Sequence, residues 1–163
     1  MLWLVAIVAI STAIRASIAV SSPSPWILPD EILYAELAKA IAAGGEPAVR
    51  GVPTLTWGVV YPLVIAPAWA VFTDPMTAYH AALAINALVM SSAAIPAYLL
   101  ARMFVGSRPA VVVASMTVLV PSLSYTGVVM TENAFYPLFL WSVLLIARAV
   151  RNLPACAARM RPG

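Results

Sequence analysis

Apolar residues in this chain run in long blocks broken by short polar stretches. The blocks span Met1 to Ser22, Met76 to Met103, Pro109 to about Tyr125, and about Ala134 to Val150. A bilayer core about 30 Å thick consumes roughly 20 apolar residues per helical crossing, so each block predicts one crossing, the last two near the short limit. A fifth stretch, Trp57 to Phe72, is as apolar but holds only sixteen residues, with Pro62 and Pro67 inside. Its shortness and its prolines predict a re-entrant or interfacial helix.

Between the first block and that stretch the period changes. Leu28 to Gly45 reads as an amphipathic helix, with Pro29 suited to its first turn and Gly44-Gly45 to its stop. Leu33, Leu37 and Ile41 form an apolar stripe, Glu36 and Lys39 take polar positions, and the helix is expected to lie along the membrane surface. Ser21-Ser-Pro-Ser-Pro25 reads as the turn leading into it.

Composition agrees with a membrane setting: 63% of the 163 residues are hydrophobic, 9% are charged, and mean hydropathy is +0.97. A soluble domain would carry roughly a quarter charged residues. The first block lacks a basic leader and a small-residue cleavage site, so it reads as a retained helix. The single cysteine, Cys156, leaves no internal disulfide or multi-cysteine metal site to consider. Arg102 and Arg108 fall on the same side as Arg148, Arg151, Arg159 and Arg161, which the positive-inside rule makes cytoplasmic. The expectation is therefore an all-α integral membrane protein with about four transmembrane helices, a juxtamembrane amphipathic helix and a re-entrant or interfacial helix. Both termini are cytoplasmic, a long outer loop covers about 23–75, a short one covers about Thr126 to Asn133, and 151–163 forms a basic cytoplasmic tail with no further helix. The lipid bilayer is the first partner, and no nucleic-acid partner is expected.

Candidate chemistry lies in the outer loops. Asp30 and Glu31 occupy a predicted first helical turn, where acidic residues also simply favour the macrodipole. Glu132 lies between two apolar blocks, where a charge usually faces protein, water or a partner; it can equally be an acidic first turn capped by Thr131. Arg15 is placed to snorkel outward and Arg50 to be solvated, though either could meet a phosphate. His80 has no ligand constellation around it. The five tryptophans suit interfacial belts and packing, with carbohydrate stacking open to Trp26 or Trp57. Asn86 and Ser91-Ser92 suit hydrogen bonds between helices.

In their order these residues resemble the GT-C class of membrane glycosyltransferases that use polyprenyl-phosphate sugars. A first helix is followed by Pro29-Asp30-Glu31, Tyr34 and Ala38, then Gly45, then Tyr61-Pro62-Leu63 opening a short apolar helix. That order is similar to the first outer loop of protein O-mannosyltransferases and aminoarabinose transferases. Ala97-Tyr-Leu-Leu-Ala-Arg102 before a short basic link, then Glu132 leading the next helix, is similar to the family's second outer loop. The resemblance covers roughly residues 1–150.

The resemblance implies that Asp30 is a general base or metal ligand near the acceptor, that Glu31 supports it, and that Glu132 is the second-loop acidic residue. Many relatives have aspartate there, and some a paired acidic motif that this sequence lacks. Tyr61 and Pro62 would shape the loop that approaches the donor. The leaving phosphate calls for an arginine, Arg50 or Arg15, or for a divalent ion. The implied function is transfer of a sugar from a polyprenyl-phosphate carrier to an acceptor on the outer face of the cell membrane. Relatives have many more helices, so the chain reads as an N-terminal portion, incomplete as a catalyst alone and open to a partner membrane subunit. A non-catalytic helical module or small transporter fragment is the alternative.

Overall fold

The computed structural model describes residues 2–21, 24–25, 28–54, 56–119 and 125–159. It is mostly helical. The helices are α1 (Leu2–Val20), α2 (Pro29–Ala42), α3 (Val60–Val71), α4 (Pro75–Ser91), α5 (Ala94–Ala101), α6 (Ser107–Leu119) and α7 (Glu132–Arg159), with a 3₁₀ turn at Tyr125–Gly127. Among the described residues three stretches are long and apolar enough to cross a membrane: Leu2–Val20, Pro75–Ala101 and Glu132–Asn152. Large apolar side chains cover their outward faces, including Val5, Ile10 and Ile14 on α1 and Phe135, Leu138, Leu145 and Ile146 on α7.

The second sequence block is divided into α4 and α5 at Ser92 and Ala93. Pro96 has no N–H to offer the Ser92 carbonyl, and the Ile95 amide donates to it from three residues away instead, at 2.9 Å. The Ser92 hydroxyl donates back to the Val89 carbonyl at 2.6 Å, a contact that bends helices. As described, α6 covers 13 residues, about 20 Å, less than a bilayer's thickness. Its last turn meets Arg15 of α1, whose guanidinium donates to the Val118 carbonyl while Nε donates to Ser11 Oγ at 3.2 Å. Arg15 therefore does not snorkel outward. It is buried, 1% exposed, because the carbonyls at a helix C-terminus lack partners and carry negative partial charge.

α1 lies against α4, where the Ser91 hydroxyl donates to Ser11 Oγ at 2.9 Å, as expected of an interhelical serine. α3, at 12 residues or about 18 Å, is too short to cross. It folds back beside α4, so that Tyr61 near its start reaches Asn86, eleven residues or about 16 Å beyond Pro75. Between α2 and α3 the chain makes a two-stranded hairpin, β1 (Ala48–Val49) with β2 (Val52–Pro53), which departs from the all-α expectation. Its two-residue turn needs positive φ at both positions, met by Arg50 at 51° and Gly51 at 79°. The strands are too short to leave an alternating pattern in the sequence.

Two other expectations change. α2 buries Glu31, Tyr34, Leu37 and Ala38, with Leu33 and Ile41 of the expected stripe half-buried against the same cluster, so its inward face is wider than the stripe and takes in a carboxylate. α7 continues through Arg159, so the segment after residue 150 extends a helix instead of forming a separate tail. The largest buried cluster joins α2, α3, the first half of α4, Val129 and Ala134.

Candidate functional site at the acidic end

All six acidic residues, Asp30, Glu31, Glu36, Glu46, Asp74 and Glu132, belong to α2, the hairpin approach, the α4 cap and the α7 start. These segments gather at one end of the bundle, the acidic end, around Glu31. Glu31 is 2% exposed, and its Oε1 accepts from the Tyr79 hydroxyl at 2.6 Å and from the Val129 amide at 3.1 Å. One carboxylate thus ties α2 to α4 and to the segment before α7. Charge-assisted bonds of this kind are about twice as strong as neutral ones, and burial shields them from competing water.

A second set of bonds runs beneath it. The Tyr61 hydroxyl donates to Asn86 Oδ1 at 3.1 Å, and Asn86 Nδ2 donates to the Val128 carbonyl at 3.1 Å. Asn133, in the first turn of α7, donates from Nδ2 to the carbonyls of Tyr125, Val128 and Met130 at 2.9, 3.1 and 3.1 Å. The Tyr34 and Tyr61 rings meet edge to face with centroids 5.4 Å apart. The 125–131 segment, which has little helix of its own, is held by side chains from three other elements.

Asp30 precedes Glu31 and is exposed. Glu132 opens α7 and is half-buried; the Thr131 hydroxyl donates to its Oε2 at 3.4 Å, turned toward the carboxylate next to it. The Glu31–Val129 bond joins the strands of chain that carry them: Asp30 is one residue from Glu31, and the three residues from Val129 to Glu132 reach at most about 11 Å. Beside this seam a cleft of about 190 Å³ opens, lined by Glu31, Ile32, Glu36, Lys39, Trp69 and Tyr79 among others. Lys39 Nζ and Glu36 Oε1 pair at 2.8 Å on its rim.

Arg15 and Arg50 do not join this seam through any bond described above. Arg15 serves α6, and Arg50 sits exposed at the hairpin tip. Tyr61 is buried at the start of α3, its hydroxyl on Asn86. His80 lies beside Tyr79, ring centroids 6.0 Å apart. Trp26 and the side chain of Cys156 lie outside the described residues. Among the described residues no three His, Cys, Asp or Glu side chains come together as a metal-holding group.

Sequence reasoning did not single out Tyr79, Asn133 or the backbone of Val128 and Val129. Asn133 offered a signal, an amide beside Glu132 at the edge of an apolar block, where buried polar groups need partners. Comparison with family models, curated proteins and solved structures finds no match for this chain.

Proposed function

We propose that this chain is the N-terminal part of a membrane glycosyltransferase that takes a sugar from a polyprenyl-phosphate carrier and delivers it to an acceptor at the outer membrane surface. In this reading α1, α4 with α5, α6 and α7 mark four membrane passages. α2 and α3 are the juxtamembrane and interfacial helices, and the acidic end faces outward. The arginines after α5 and on α7 make the opposite, basic end cytoplasmic.

The observation that carries the reading is the Glu31 bond to Val129, which fastens the first acidic loop to the second. Glu31 positions and Asp30 reacts. An exposed carboxylate at the start of α2 can accept the proton of an acceptor hydroxyl as it attacks the anomeric carbon, while the carbon–phosphate oxygen bond breaks on the opposite face. General-base help of this kind is typically worth about 10²–10⁴-fold. Glu132, three residues beyond Val129, would orient the sugar or the acceptor.

The test is transfer from a polyprenyl-phosphate-linked sugar in membranes that carry the chain with any subunit it requires. Asp30→Asn is expected to cut turnover by at least about a hundredfold with membrane insertion unchanged. Near-normal turnover removes Asp30 from the base role. Independently of activity, cysteines at 30 and 132 in a Cys156→Ser background should be joined by a bismaleimide of about 10 Å, the spacing at which two carboxylates admit a substrate between them.

A further inference from the structure

We propose that the pocket at the basic end, between the start of α1, the end of α5 and the start of α6, holds the phosphate of an anionic phospholipid from the cytoplasmic leaflet. The pocket measures about 290 Å³ and is lined by Trp3, Leu4, Tyr98, Ser107, Arg108 and Val111. Arg108 is exposed, and among the described residues it has no ion pair or hydrogen bond. Residues 75–131 and 133–163 hold no aspartate or glutamate, so no carboxylate side chain from these stretches competes for Arg108. Arg108 and Ser107 both line the recess, and a guanidinium together with a hydroxyl suits a phosphate diester, which accepts from both.

The surroundings favour a lipid over a soluble phosphate ester. Leu4 and Val111 form the apolar part of the wall, and the surface beyond it continues through Phe104, Val105 and Val112, all exposed, where acyl chains can lie. Trp3, 76% exposed, and Tyr98 are the amphipathic rings that settle at headgroup level. The leaflet rests on the orientation proposed above.

The experiment uses the chain in vesicles with Trp3 as the sole tryptophan and measures quenching by brominated lipids. Brominated phosphatidylglycerol should quench Trp3 about fivefold more effectively than brominated phosphatidylcholine, the preference that one ionic contact with an anionic leaflet supplies. Arg108→Gln should abolish the preference and Arg102→Gln should leave most of it. Equal quenching by the two lipids, or equal effects of the two substitutions, overturns the pocket. Suppression of the preference by millimolar glycerol phosphate overturns the lipid assignment in favour of a free phosphate ester. The unaltered chain gives a second reading in native mass spectrometry, where retained phosphatidylglycerol should fall in Arg108→Gln; no fall overturns the proposal as well. A cysteine at Gly106 in the Cys156→Ser background, labelled from the cytoplasmic side only, fixes the leaflet separately, so a wrong orientation is told apart from a wrong ligand.

Discussion

At the acidic end, side chains from α2, α4 and α7 share buried hydrogen bonds with one short segment, one of them between residues 98 apart in sequence, and Tyr61 of α3 joins them through Asn86. At the basic end Arg102, Arg108, Arg148 and Arg151 are exposed, and the bond from the Arg102 guanidinium to the Val105 carbonyl, at 3.3 Å, is exposed and local. The difference follows from what each charge meets. A carboxylate carried inward on α2 must find donors or remain unsolvated, so Glu31 fixes geometry. Arginines at helix ends reach water or headgroups without folding inward, so they fix orientation and leave geometry alone.

The largest effect should come from Glu31→Ala, which leaves the Tyr79 hydroxyl and the Val129 amide without their acceptor. Unfolding in detergent should show a loss of about 3 kcal/mol, and Glu31→Gln, which keeps an acceptor oxygen, a clearly smaller one. A cost for Glu31→Ala no greater than that of a surface change would break the contrast between the two ends.

Tyr61→Phe keeps the ring against Tyr34 and removes only the hydroxyl bonded to Asn86, so a loss of about 1 kcal/mol is expected in the same measurement. Asp74 caps α4, and its carboxylate accepts from the Thr77 hydroxyl and amide, both at 2.7 Å, which hold its pKa below the usual 3.8. A depressed folded-state pKa contributes stability that is present above the unfolded value and lost as pH falls through the folded one. Asp74→Asn should therefore lower Tm slightly near neutral pH, with the difference from the unaltered chain shrinking below about pH 4. Arg102→Gln sharpens the comparison from the other side, since its change in stability should stay within about 0.5 kcal/mol.

The position of most helices was legible because membrane helices must satisfy their own backbone and show continuous apolar runs. Asn86 and Ser91 were legible as interhelical donors and acceptors for the same reason, each being a polar group that hydrocarbon would leave unpaired. The candidate site was legible only as a pair of acidic loops. Nothing local tells Asp30 from Glu31, which are neighbours of nearly identical chemistry; a rotation of about 100° per residue around α2 sends one into solvent and the other under Tyr79.

The sequence by itself determined the class, a set of apolar helices with acidic residues toward one end and arginines toward the other, because hydropathy and charge act through composition and order along the chain. Tertiary structure alone decided the pairings: Arg15 turned onto the end of α6, Glu31 onto Val129, α3 folded back beside α4, and Arg50 carried to a hairpin tip. Each depends on which helix faces lie together, and that is settled by packing among distant elements rather than by any local periodicity.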